Sequence, residues 1–175
     1  MYDALATSPD TTPSGAARFL AFMEDELDPW IRSRYPTKGA TSGILGNSFG
    51  GTFTFYAFLR QSPLFDAYWL GSPGLFTTDS DYIGQLAAVL AGELVADTRM
   101  YLSLGELEAT GPVDYYRDMA VNYTRLIGVL DAAANPRLTY AAHVYAGHTH
   151  TSAFAPALTD ALRYLYGGWS PPGLR

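Results

Sequence analysis

The chain has 175 residues, 48% of them hydrophobic and only 16% charged, a balance that excludes an intrinsically disordered protein and allows one domain with one substantial core. Its net charge is −6, and its basic residues are scattered, with Lys38 the only lysine, which argues against nucleic acid or an anionic membrane surface as a partner. Cysteine is absent, which removes disulfides, thiolate metal sites and a cysteine nucleophile.

No apolar run reaches bilayer length, and the start Met1-Tyr2-Asp3-Ala4-Leu5 is neither basic nor apolar. Neither a membrane span nor a secretory leader is therefore expected. The compartment stays open, with the cytoplasm slightly favoured.

Residues 1–13 read as a polar lead-in. Ser14 is placed to cap a helix running to about Tyr35, with Leu20, Met23, Leu27, Trp30 and Ile31 at helical spacing. Pro29 predicts a kink or break within it. Ser42 to Gly46 reads as a short strand and is followed by a helix to Arg60. Asp66 to Leu70 is a second strand, stopped by Gly71-Ser72-Pro73-Gly74. A helix over Asp81 to Leu94 leads to a third strand, Arg99 to Leu104. Val113 to Leu130 is an amphipathic helix with Val113, Tyr116, Tyr123, Ile127 and Leu130 on its apolar face. Leu138 to Tyr145 is a fourth strand, and Phe154 to Tyr166 a last helix presenting Phe154, Leu158, Leu162 and Leu165. Residues 167–175 form a Gly/Pro-rich tail, expected to be loose. Strands alternating with helices predict right-handed β-α-β units and a parallel sheet covered on both faces, with any site beyond the carboxyl ends of the strands.

Just after the first strand, Gly46-Asn47-Ser48-Phe49-Gly50 fits G-x-S-x-G, and Gly51 adds another glycine. Between a strand and a helix this pattern makes a nucleophile elbow, a strained turn that lifts the serine hydroxyl above the sheet. Its small residues let neighbouring backbones approach. Ser48 is the candidate nucleophile, and the Phe49 N–H, at the helix start, a candidate oxyanion donor.

Of the three histidines, His143 lies inside a strand, whereas His148 and His150 lie in the loop that follows it. A base for Ser48 belongs in such a loop, and His150 is nearer the helix. A zinc site is disfavoured, because no carboxylate adjoins the His-x-His pair and a site needs three or four ligands. Glu106, Glu108 and Asp114 follow the third strand, any of which could orient an imidazole. The order Ser, then acid, then His is that of α/β-hydrolases. No phosphate-binding or dinucleotide-binding glycine motif follows a strand, so a nucleotide site is not expected.

These segments resemble the Putative esterase branch of the α/β-hydrolase superfamily. That branch includes siderophore esterases, esterase D-like S-formylglutathione hydrolases, feruloyl and acetylxylan esterases, and mycolyl transferases. The resemblance runs from about Phe19 to Tyr166. Glu26-Leu27-Asp28-Pro29-Trp30-Ile31 is similar to the family's E-L-x-P-x-I segment, and Gly46 to Gly51 to its elbow. Leu70-Gly71-Ser72-Pro73 resembles its S-P turn. Gly105-Glu106-Leu107-Glu108 resembles its acid loop, which selects Glu108, and His150-Thr151-Ser152 its H-x-S step, which selects His150.

The resemblance implies a three-layer α/β fold with a mainly parallel sheet of four strands, corresponding to strands five to eight of the family. It implies a single truncated domain over residues 1–175, without the first four strands and the loop that supplies a second oxyanion donor. Losing one such donor costs roughly 10²–10³ in rate. The expected function is a serine esterase for small carboxylic esters, with triad Ser48, His150 and Glu108 and with Phe49, Pro73, Phe76 and Phe154 as acyl-pocket walls. No cofactor or metal is expected. A catalytically weak or inactive fragment acting as a binding or oligomerising module, and an acyltransferase, are the alternatives. An unpaired elbow strand predicts a homo-oligomer, specifically a dimer through that edge.

Overall fold

The computed structural model describes residues 15–37, 39, 41–75 and 81–167. In chain order the elements are α1 (Gly15–Phe22), a π-helical segment (Met23–Leu27), α2 (Asp28–Arg32), β1 (Ser42–Asn47), α3 (Phe49–Leu59), β2 (Phe65–Gly71), α4 (Tyr82–Ala91), β3 (Thr98–Gly105), α5 (Glu106–Thr110), α6 (Asp114–Ala133), β4 (Leu138–Tyr145) and α7 (Phe154–Gly167). The four strands form one parallel sheet in the order β1-β2-β3-β4. The architecture is the three-layer α/β sandwich expected from the sequence.

The order explains the layers. Each strand lies beside its predecessor, so right-handed crossovers put every connecting helix on the same face. That face carries the larger core, in which Phe55 and Phe58 of α3, Leu86 and Leu90 of α4, and Tyr123, Leu126 and Leu130 of α6 meet Leu70, Met100, Leu102 and Leu104 of the sheet. After β4 no crossover remains, and α7 covers the opposite face, over Trp69, Tyr101 and Tyr145. Alternate residues of β2 and β3 thus enter different cores, as the two-residue period of a strand requires.

Three details differ from the sequence reading. The first helix does not break at Pro29; the irregularity lies just before it, as the π-helical turn Met23–Leu27. Pro29 itself sits at the start of α2, where a missing N–H is tolerated. The buried face of α6 is Met119, Tyr123, Leu126 and Leu130, so Val113 and Tyr116 do not belong to it. The buried face of α7 is Ala157, Ala161, Tyr164 and Leu165, while Phe154 and Leu162 are each 44% exposed. The cause is tertiary: the sheet already offers Trp69 and Tyr101 to α7, and the helix meets these large side chains with the small Ala157 and Ala161 beside Tyr164 and Leu165.

Candidate active site

The strands end together. Asn47 pairs with Gly71, Gly71 with Ser103, and Gly105 with Tyr145. The segments that follow these ends carry Ser48, Ser72, Glu108 and His150, so the chemistry-bearing residues gather along one edge of the sheet.

Ser48 adopts φ 58° and ψ −121° between β1 and α3. A non-glycine residue in the left-handed half of backbone space is strained, and such strain is characteristic of a nucleophile elbow. Its neighbours hold it there. The Ser48 N–H donates to the Gly71 carbonyl at 2.8 Å, and the Ser48 carbonyl accepts from Gly74 N–H at 3.1 Å as well as from Thr52 N–H at 3.0 Å. Gly46 permits the turn to close, because a Cβ there would lie 2.1 Å from the Gly50 carbonyl oxygen. Gly50, in contrast, has open space where its Cβ would be. Of the two motif glycines, the sterically obligatory one is Gly46.

Glu108 and His150 meet directly. The His150 Nδ1 lies 2.8 Å from Glu108 Oε2. The Glu108 carboxyl is fully buried, and its Oε1 accepts from the Gly105 amide at 2.8 Å and from the Ser72 hydroxyl at 2.7 Å. A carboxylate only accepts, so Nδ1 carries the hydrogen and Nε2 is left as the basic nitrogen. Where the sequence suggests a loop over residues 105–108, Gly105 ends β3 and residues 106–108 form the first turn of α5, which points Glu108 inward at the buried end of β3.

The competing residues are engaged elsewhere. Glu106 is exposed and accepts from Gly147 N–H through Oε2 at 2.6 Å. The Nδ1 of His148 faces the carbonyl and hydroxyl of Ser152, at 3.0 and 3.2 Å. His143 packs edge-on against Tyr145. Asp114 pairs with Arg117 at the start of α6.

Two residues outside the sequence-predicted set join the arrangement. Tyr116 stacks on the His150 ring, centroids 4.7 Å apart and planes inclined by 24°. A hydrogen bond with Tyr115, and then burial, push the Tyr116 hydroxyl up to about 12. Ser72 is buried, with φ 38°. Its sequence signal was the Gly-Ser-Pro-Gly turn, which marks a strand end without revealing that the hydroxyl faces an acid. Among the expected pocket walls, Phe49 is 54% exposed beside Ser48, and Phe154 lies tilted against Trp69 at 5.8 Å with one side open. Pro73 is buried. Phe76 lies outside the described residues.

Residues 2–165 match the model of a family described as Putative esterase. The chain belongs to that family. Among curated relatives of this esterase-family chain is the siderophore triacetylfusarinine C esterase of Aspergillus fumigatus, 24% identical, aligned over 97% of the chain and 67% of the relative. A solved IroE-like serine hydrolase from Shewanella oneidensis is 27% identical with a TM-score of 0.74, over 87% of this chain and 48% of that one. The fold is shared with the siderophore hydrolase EstB from Aspergillus nidulans, 23% identical with a TM-score of 0.76, over 99% of this chain and 66% of that one. The chain therefore spans about half the length of the Shewanella protein and about two thirds of the fungal ones.

Proposed function

We propose that this chain is a serine carboxylic-ester hydrolase whose triad is Ser48, His150 and Glu108. The observation that carries the reading is the 2.8 Å contact between His150 Nδ1 and a fully buried Glu108, on the same edge of the sheet as a strained serine elbow. In the proposed reaction the Ser48 Oγ attacks the acyl carbon while its proton passes to His150 Nε2. The Phe49 N–H takes the developing oxyanion. Collapse of the tetrahedral intermediate breaks the bond to the alkoxy oxygen, which leaves with the proton from His150. Water, deprotonated in turn by His150, then frees the acid from Ser48. Glu108 holds the imidazole and stabilises the imidazolium formed in each half. Phe49 and Phe154 are the proposed pocket walls, and small or activated esters the first substrates. The names of the relatives support siderophore esters as the wider class.

The test is labelling with a fluorophosphonate probe, read by intact mass. Stoichiometric labelling that disappears in Ser48→Ala is expected; absence of labelling in folded wild type refutes the assignment. Turnover of p-nitrophenyl acetate and butyrate, then of triacetylfusarinine C, sets the substrate class, and an added alcohol distinguishes hydrolysis from acyl transfer.

We also propose that the chain pairs with a second copy through β1. Among the described residues β1 is an edge strand, and an edge strand presents unpaired backbone groups. Light scattering after size exclusion is expected to give twice the chain mass; a monomer at micromolar concentration refutes it.

A further inference from the structure

The 71–74 turn touches both the proposed nucleophile and the proposed acid. The Gly71 carbonyl accepts the Ser48 N–H and the Gly74 N–H donates to the Ser48 carbonyl, so the turn holds both backbone polar groups of the serine. Ser72, between them, donates its own N–H to the Ser103 carbonyl of β3 at 2.8 Å. Its hydroxyl, 2.7 Å from Glu108 Oε1, reaches the acid. Ser72 is 2% exposed and takes φ 38°, a conformation that side chains rarely adopt. A buried hydroxyl in a strained turn is costly unless it is satisfied, and here its acceptor is the carboxylate facing His150.

We propose that Ser72 is a positioning residue that fixes the Glu108 carboxylate relative to the nucleophile elbow, and so sets where His150 presents Nε2 to Ser48. The proposal rests on the esterase reading above. Two donors hold Glu108 Oε1, but they differ in what they connect. The Gly105 amide ties the carboxylate to its own strand end, three residues away. Ser72 ties it to the turn after β2, which grips the serine. Without that hydroxyl the carboxylate keeps one fixed donor and can rotate about its terminal torsion, taking His150 with it.

The test uses Ser72→Ala, which keeps the Cβ, and Ser72→Gly, which also relieves the backbone. Two readouts are taken: the single-turnover rate constant and final extent of fluorophosphonate labelling, and the low-field NMR resonance of the His150 Nδ1 proton. A hydrogen bond to a charged group predicts a fall of about tenfold or more in the rate constant in both variants, with the extent unchanged. For p-nitrophenyl acetate, kcat falls likewise while KM holds. The Nδ1 proton resonance is expected to move upfield and exchange faster with solvent. Wild-type rate constants with an unmoved resonance overturn the proposal. So does a reduced extent at an unchanged rate constant, which is the mark of a purely structural role. If wild type does not label at Ser48, the esterase reading fails and the resonance alone decides: shifted in both variants, the positioning role stands; unmoved, it falls.

Discussion

Replacing Glu108 by Gln tests the acid assignment with almost no change of volume. Oε1 accepts from the Gly105 amide, which can only donate, so the Gln carbonyl must remain on that side. Its NH₂ group then faces His150 Nδ1, the position that now meets Oε2 at 2.8 Å. An NH₂ needs an acceptor, so Nδ1 must give up its hydrogen and Nε2 must carry it. The imidazole is then in the tautomer that cannot accept the Ser48 proton. Loss of acylation by about 10⁴-fold is expected, the size found when a triad aspartate becomes asparagine. Stability should fall by about 1–3 kcal/mol, because charge-assisted hydrogen bonds become neutral ones. The assay is the labelling rate constant of Ser48 beside a urea titration of each protein. Glu106→Gln is the control: its carboxylate is exposed on the Gly147 amide, and a change below about twofold is expected. Wild-type labelling in Glu108→Gln, or an equal loss in Glu106→Gln, would refute the reasoning.

Two further outcomes follow from local geometry. Gly46→Ala places a methyl 2.1 Å from the Gly50 carbonyl oxygen and 2.7 Å from Thr54 Oγ1. It should cost about 3 kcal/mol or more and suppress labelling, whereas Gly50→Ala, with free space, should leave both nearly unchanged; chemical denaturation of the pair distinguishes them. Burial raises the Tyr101 hydroxyl to about 12, against its hydrogen bond with Tyr145, which lowers it. The folded state therefore keeps a proton that the unfolded chain releases near 10. Its contribution is intact below pH 10 and is lost as pH rises from 10 toward 12, an effect on the order of 2–3 kcal/mol. Urea midpoints measured from pH 8 to 11.5 should fall less steeply in Tyr101→Phe than in wild type, and parallel slopes would contradict it.

The order of elements, the parallel sheet and the tight turn at Ser48 were legible because each depends on local signals. Periodicity marks strands and helices, and a glycine-rich turn between a strand and a helix has few conformations to choose from. Ser48 stood out as a candidate from its motif between a strand and a helix, and Glu108 and His150 became candidates through the family resemblance. What the residues alone left open was Glu106 against Glu108 and His148 against His150, since both members of each pair share a segment. Folding separated them: the first turn of α5 buries Glu108 and leaves Glu106 outside, and the neighbouring loop turns His148 toward Ser152. The buried faces of α6 and α7 follow the sequence pattern only in part: Tyr123, Leu130 and Leu165 enter the cores, whereas Val113, Tyr116, Phe154 and Leu162 do not, for a related reason. A helical wheel ranks residues by their own apolarity, but which face is buried depends on what the sheet offers, and against Trp69 and Tyr101 the small Ala157 and Ala161 share the buried face with Tyr164 and Leu165. The roles of Ser72 and Tyr116 belong wholly to the tertiary structure. Ser72 reaches an acid 36 positions away in the chain, and Tyr116 a histidine 34 positions away. The sequence by itself determined which strands and turns would form and which residue types would stand at their ends. Only the packed fold decided which of those side chains touch, because contacts between segments distant in the chain are set by how the layers close on one another.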